Sequence, residues 1–441
     1  MGTAREVALG CLLAEEKQGA WSDGYLKNAI RQNGLSGRDA GLCTRLVYGV
    51  LQTQMLLDWH IDRCASLSAE KMEPAIRNTL RLGLYQLLYL DRVPVHAAVN
   101  ESVAMAKAKS RNPRAAGLVN AVLRTVERER GDGFPEPKEL SIRYSHPEWL
   151  VKEFSCILPA GEVEAALAAD NVPVPTIAQV NTLKSASADL AEELTAAGVS
   201  VAPHPWLPEC LELTETGNLE ELDAFRKGKF YIQDTAAKLA VMAAGPMPGM
   251  CVLDACAAPG GKSFAAAIAM EGKGEIYSND IHPHKKALIE AGAARLGLHN
   301  ITAGIMDAKS FDPAKEGRFD LVIADVPCSG LGIIRKKPDI RYKAPEPLQG
   351  LPRVQGDILE NVSRYVKSGG TLLYSTCTLL RRENEGVVTG FLDAHKEFVL
   401  ERFTLPGPVG MAAEGMVTLW PHRHGTDGFF IAKLRRKAQK M

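Results

Sequence analysis

Asp254-Ala255-Cys256-Ala257-Ala258-Pro259-Gly260-Gly261-Lys262-Ser263 stands between an apolar run, Val252-Leu253, and an apolar helical stretch, Phe264–Met270. A glycine turn that joins a strand to a helix lets the backbone approach a ligand and offers it the amide end of the helix. The string Gly-Gly-Lys-Ser invites an ATP reading. A phosphate-cradling loop of that kind needs glycine five residues before Gly261, and Cys256 stands there. Ala257-Ala258-Pro259 also fails to supply the glycine spacing of a dinucleotide fingerprint. An adenosine cofactor with little phosphate remains, namely S-adenosylmethionine.

Downstream, Ile276-Tyr277-Ser278-Asn279, Ile301–Ile305, Leu321–Ala324 and Thr371–Tyr374 read as strands that alternate with helices, and Phe429–Ala432 reads as a last strand. This alternation predicts a parallel, doubly wound, Rossmann-like α/β domain over 233–441, with its site at the carboxyl ends of the strands. An aspartate recurs at those ends: Asp254, Asp280, Asp307 and Asp325. Asp280 is placed to accept from ribose hydroxyls, and Asp307 could meet an adenine amino group.

Two cysteines occupy the later strand ends, Cys328 in Asp325-Val326-Pro327-Cys328-Ser329-Gly330 and Cys377 in Ser375-Thr376-Cys377-Thr378. A thiolate is a strong soft nucleophile. Two of them near such a loop suggest covalent catalysis with a second step that needs its own base. Cys256 lies in the loop itself and can contact the cofactor through its backbone. Cys11, Cys43, Cys64, Cys156, Cys210 and Cys251 read as small core residues.

Upstream the chain is multidomain. Residues 1–140 repeat apolar positions at three and four, which predicts an all-α domain of about seven helices. Thr3 and Glu6 offer a capping box, Pro74 opens an apolar helix through Leu88, and Asn112-Pro113 starts another. Gly131–Pro137 is a linker by composition. Residues 141–232 read as a small α+β module. Its first helix would be capped by Ser145-His146-Pro147-Glu148, and strand Thr176–Val180 and helix Ala188–Ala197 follow.

With 52 basic and 52 acidic side chains, the chain has no global charge for nucleic acid, so any such surface is local. The candidate is Arg335-Lys336-Lys337 with Arg341 and Lys343, which begins ten residues after Asp325; a second basic stretch is Lys433–Lys437. Nine cysteines without a CxxC pair argue for a reduced, cytoplasmic protein. His282/His284 and His422/His424 lack zinc spacing, so no metal is expected. No apolar run reaches membrane-spanning length, so no membrane role is expected either. A monomer is expected.

The strings Asp254–Ser263, Ser278-Asn279-Asp280, Met306-Asp307-Ala308, Asp325–Gly330 and Thr376-Cys377 closely resemble the RNA cytosine-5 methyltransferase family. The helical domain, with Val95-His96-Ala97-Ala98-Val99-Asn100-Glu101-Ser102-Val103, is similar to the antitermination factor NusB, an RNA-binding fold. Their fusion is the arrangement of a bacterial 16S rRNA methyltransferase. The resemblance implies S-adenosylmethionine as cofactor, 16S rRNA as partner, and the cofactor lined by Cys256, Ala257, Ala258, Pro259, Gly260, Gly261, Lys262, Asp280, Asp307 and Asp325. It implies Cys377 as nucleophile, Cys328 as the residue that assists enzyme release, and Asp325 as a ligand of the cytosine edge. Lys262 would neutralise a carboxylate or lower a cysteine pKa. Two alternatives stay open. One is the same chemistry on a tRNA or another rRNA cytosine. The other is a non-catalytic RNA-binding assembly or antitermination factor.

Overall fold

Thr3 and Glu6 open the first helix by bonding each other's amides: Thr3 N donates to Glu6 Oε2 (2.8 Å) and Glu6 N to Thr3 Oγ1 (3.3 Å). The computed structural model describes residues 2–18, 23–130 and 135–438 and divides into two units. Residues 131–134 of the expected linker lie outside the described residues.

The first unit comprises residues 1–172 and Ile334–Lys343. Its helices are α1 (Ala4–Gln18), α2 (Asp23–Gln32), α3 (Gly37–Cys64), α4 (Pro74–Tyr89), α5 (Val95–Lys109), α6 (Ala115–Glu129), α7 (Leu140–Arg143), α8 (Glu148–Ile157) and α9 (Ala160–Ala169). Leu9, Leu12, Leu46, Leu51, Leu80, Leu84, Val119 and Leu123 form its core. Among the described residues, six α-helices and a 3-10 turn at Ala69–Lys71 stand where about seven helices were expected. Helices α8 and α9, expected in the middle module, fall in this unit.

α3 is broken at Thr53, whose φ of −120° and ψ of 16° are not helical. The break leaves backbone groups to be satisfied from elsewhere. Leu56 N donates to Ser145 Oγ (3.1 Å), so Ser145 serves the break in α3; α8 instead begins behind Pro147 without a side-chain cap. Tyr342 OH donates to Leu51 O (2.9 Å) and Arg341 Nη1 to Gln52 O (2.9 Å). Arg341 also donates to the Tyr144 and Ser145 carbonyls and to Asn171 Oδ1.

The second unit comprises residues 173–333 and 344–441. Its first part is a ferredoxin-like module: β1 (Thr176–Val180), α10 (Ser187–Ala196), β2 (Ser200–Pro203), β3 (Cys210–Thr214), α11 (Asp223–Arg226) and β4 (Phe230–Ile232). The strands form an antiparallel sheet in the order β2-β3-β1-β4. Arg295 secures the module to the larger sheet domain. Its Nη1 donates to the Phe225 and Phe230 carbonyls, and its guanidinium sits 3.7 Å from the centre of the Phe225 ring. Asn181 Nδ2 donates across the same junction to Leu296 O (2.9 Å).

The sheet domain runs through α12 (Thr235–Ala244), β5 (Cys251–Asp254), α13 (Gly261–Ala269), β6 (Glu275–Asp280), α14 (Pro283–Leu296), β7 (Ile301–Ile305), β8 (Phe319–Asp325), α15 (Leu351–Ser363), β9 (Val366–Thr376) and α16 (Glu385–Ala394). The short strands β10 (Phe398–Leu400), β11 (Phe403–Leu405), β12 (Gly410–Ala412) and β13 (Met416–Leu419) lead to α17 (Pro421–His424) and β14 (Phe429–Arg436). The strand order is β10-β14-β9-β8-β5-β6-β7, with β13 beside β14. Alternate residues of β8 face opposite cores. Leu321 and Ile323 meet the layer containing α12, α13 and α14, whereas Val322 and Ala324 meet the layer containing α15 and α16.

Strands β5 to β9 pair in parallel, as expected, but β14 runs antiparallel to β9, so the sheet is mixed. β14 pairs antiparallel with β13 as well, across a connection too short for the crossover that a parallel pair requires. β6 and β7 lie on one side of β5 and β8 and β9 on the other. This order places a topological switch between β5 and β8, where ligands of such sheets bind.

Candidate active site

β5 ends in Asp254, which is fully buried; its Oδ2 accepts from Ser263 Oγ at 2.7 Å. Burial pushes its carboxyl up to about 7, opposed by the Ser263 hydrogen bond and the Lys262 charge. The loop then turns through Gly260, whose φ is 110°. A Cβ there would lie 2.5 Å from the Phe264 ring, so the turn needs glycine. Ala257 N is tied to Asn279 O (2.8 Å), which holds the loop against the end of β6.

Asp280 is nearly buried and accepts from His282 N at 3.1 Å, with Lys285 Nζ 3.6 Å away. Asp307 follows β7 and accepts from Lys309 N. Cys256, Asp280, Asp307 and Pro327 line one cavity of about 330 Å3, with Ile281 and Ile358 as apolar wall. His282 and Lys285 also line it; as loop and helix residues beside Asp280, they carried no signal in the sequence. Burial raises the Cys256 thiol well above its usual range, so Cys256 sits in the loop as a neutral thiol.

The register of β8 and β9 sets Asp325 opposite Ser375. Ser375 Oγ donates to Asp325 Oδ1 (2.8 Å), and Lys262 Nζ lies 2.6 Å from Oδ2. Lys262 comes from the first turn of α13 and stands 5.0 Å from the Phe429 ring centre. One residue past β9 is Cys377, and three past Asp325 is Cys328; their Sγ atoms are 3.3 Å apart. The Cys377 thiol is lowered by the hydrogen bond from Cys328, with Lys262 adding to the effect against burial and the Asp325 charge. Cys328 is raised, first by that same bond, then by burial and by the charges of Cys377 and Glu383. The pair thus favours a thiolate at Cys377 and a thiol at Cys328.

Arg335, Lys336 and Lys337 lie on the segment that belongs to the first unit, the first two half-buried and Lys337 exposed. Arg341 is fully buried, and Nη1 and Nη2 are turned to carbonyl and amide oxygens of that unit. The structure does not place Arg341 for the expected RNA contact, because its side chain is fully buried with Nη1 and Nη2 bonded inside the protein. Of the six cysteines expected in cores, Cys11, Cys43 and Cys210 are buried and Cys64 and Cys251 partly so. Cys156 is exposed, since α8 buries Leu150 and Phe154 instead. Among the described residues no group of His, Cys, Asp and Glu is placed to hold a metal, and no helix is long and apolar enough to cross a membrane.

The model of the 16S rRNA methyltransferase RsmB/F family matches residues 241–435. The NusB family model matches residues 2–128, and that of the ferredoxin-like domain of RsmF/B-like methyltransferases matches 146–220. The chain is 38% identical to the probable ribosomal RNA small subunit methyltransferase B of Bacillus subtilis, over 99% of both chains. It is 35% identical to the protein of the same name from Synechocystis, over 99% of this chain and 100% of that one. Among solved structures, the crystal structure of PH0851 is 27% identical, with a TM-score of 0.80 over 98% of both chains.

Proposed function

The chain belongs to the RsmB/F 16S rRNA methyltransferase family, and from that membership we propose that it methylates carbon 5 of a cytosine in 16S rRNA, with S-adenosylmethionine as donor and Cys377 as covalent nucleophile. The observation that carries this reading is the 3.3 Å approach of Cys328 and Cys377 beside the Lys262–Asp325 pair.

The donor set of the cavity fits adenosine and methionine. Asp280 and Asp307 offer carboxylates where ribose hydroxyls and an adenine amino group would lie, and Cys256, which begins the glycine loop, lines the same cavity. S-adenosylmethionine held there supplies an electrophilic methyl group. Everything else falls to the chain. The target base must leave its stack, or be unpaired already, before its carbon 6 can be reached. The Cys377 thiolate adds to carbon 6 and makes carbon 5 nucleophilic. Asp325 meets the N3/N4 edge of the cytosine and stabilises charge that appears only on thiol addition. Lys262 and Ser375 hold Asp325 in place for this contact. After transfer the proton leaves carbon 5 as the bond from Cys377 to carbon 6 breaks, and Cys328 assists this release. The helical domain, with Arg335, Lys336 and Lys337, and the ferredoxin-like module hold the flanking RNA by backbone and shape.

The test is a denaturing gel of Cys328→Ala protein incubated with 16S rRNA and S-adenosylmethionine, beside Cys377→Ala and the double variant. A slow-migrating protein–RNA species with Cys328→Ala that disappears when Cys377 is also replaced supports both roles. No such species with any RNA, total tRNA included, overturns the covalent mechanism.

A further inference from the structure

The turn between β9 and α16 contributes Glu383, a fully buried carboxylate without a cationic partner among the described residues. Its Oε2 accepts from the backbone amide of Ser329 (2.9 Å) and from Gln355 Nε2 (2.8 Å), while Oε1 has no hydrogen-bond partner. Gln355, also fully buried, donates from the same nitrogen to Pro327 O (3.0 Å). The residues on either side of Cys328 are therefore both fastened to one carboxylate–amide pair.

The Cys377 side is fastened from the same turn. Asn384 accepts from Thr376 Oγ1 (2.6 Å) and donates to Thr378 O (3.0 Å). Ser329 Oγ and Thr378 Oγ1 are 2.7 Å apart, and Gly332 N donates to Cys377 O (2.9 Å), so the two cysteine loops are also joined directly. Gly332 has no room for a side chain, because a Cβ would meet Gly428 O at 1.9 Å.

A buried charge that its hydrogen bonds only partly satisfy is costly, and its retention calls for a functional reason. Resting on the proposed thiol chemistry, we propose that Glu383 is a positioning residue for the thiol pair: bonded to the Ser329 amide and Gln355, it locks the Cys328 loop onto the Cys377 loop and holds a negative charge beside Cys328 that adds to the bond between the two thiols in keeping Cys328 the protonated partner. Cys328 faces Cys377 and Glu383, while Cys377 faces Lys262, which favours its thiolate, and Asp325 and Asp427, which oppose it. Tyr374, whose hydroxyl donates to Glu383 O, is pushed far up by burial and stays neutral beside both. A negative charge held in low dielectric next to one thiol opposes its ionisation, and a nearby ammonium favours that of the other.

The experiment is the pH dependence of iodoacetamide alkylation at Cys328 and Cys377, read by peptide mass spectrometry on the full chain without RNA or cofactor. In the unaltered protein Cys377 reacts ahead of Cys328. Glu383→Gln keeps the shape and removes the charge, and it is expected to raise the Cys328 rate near neutral pH by about threefold and narrow the preference. Gln355→Ala loosens the same loop but keeps the charge, and should leave the preference intact. Equal rates in the unaltered protein, no change in Glu383→Gln, or an equal change in Gln355→Ala each overturn the proposal. If Glu383→Gln unfolds, Glu383→Asp retains the charge, and loss of the preference in that variant has the same overturning force. Because alkylation needs no RNA, an absent RNA adduct with the alkylation pattern intact would refute the methylation chemistry and leave the role of Glu383 standing.

Discussion

Lys262 Nζ lies 2.6 Å from Asp325 Oδ2, which ties the first turn of the helix after the glycine loop to the end of β8 that carries this carboxylate. The lysine side chain is 9% exposed and the aspartate 29%, so this pair is screened by water on the aspartate side only. Lys262 also lowers the Cys377 thiol. Lys262→Met should therefore move Cys377 alkylation to higher pH and slow methyl transfer by about 10²-fold, the cost of removing one preorganised charge partner. An unchanged Cys377 profile would restrict the lysine to holding Asp325.

Two thiols 3.3 Å apart are one oxidation away from a covalent bond. Oxidised glutathione is expected to abolish methyl transfer and remove two titratable thiols, with dithiothreitol restoring both. Cys328→Ala should lose the reversible component. If unaltered protein keeps both thiols under the same treatment, the loops are held too rigidly for the bond to close.

Asp254 gives a pH dependence with a definite sign. Its folded value, about 7, lies above the ordinary carboxylate value of 3.8, so the folded state holds the proton more tightly than the unfolded chain. Stability is then fully present below the unfolded value and is lost as pH rises from there through about 7. Between pH 5 and pH 7.5 the cofactor-free protein should lose Tm relative to Asp254→Asn, in which the slope should flatten. Parallel Tm curves for the two proteins would contradict the shift.

Arg341 fills the break in α3. Methionine there would match the stem but leave the Gln52, Tyr144 and Ser145 carbonyls without their donor. Loss of hydrogen bonds from a charged donor to buried acceptors costs on the order of 3 kcal/mol. Arg341→Met is thus expected to lower the unfolding midpoint in urea, while RNA affinity of the folded fraction stays the same. A selective loss of RNA affinity without loss of stability would return Arg341 to the RNA surface.

What was legible in the sequence was local. The glycine loop, the strand-end aspartates and the helical period of residues 1–140 each depend on neighbours within a turn or a strand, and their patterns survive in a linear reading. The antiparallel β14 could not be read, because direction depends on the length of a connection whose short strands carry little pattern. Arg341 looked like part of a basic surface run, since nothing in Arg335–Lys343 marks which cation turns inward. Ser145 looked like a cap for the helix beside it, yet it serves a break in α3, 89 residues away in sequence. Glu383 and Gln355 were silent for the same reason: a buried pair 28 residues apart looks like two ordinary surface residues until the fold brings it together.

The return of Ile334–Lys343 to the first unit bears on how the chain is born. Domains emerging from the ribosome can fold in order of synthesis, N-terminal first. Here the first helices to emerge cannot satisfy the carbonyls of Leu51 and Gln52 from their own neighbourhood, because Tyr342 and Arg341 have yet to be translated. The N-terminal unit gains these hydrogen bonds only once a segment that follows the Cys328 loop has been made. Its completion thus reports that the ribosome has already passed the sequence encoding most of the methyltransferase site.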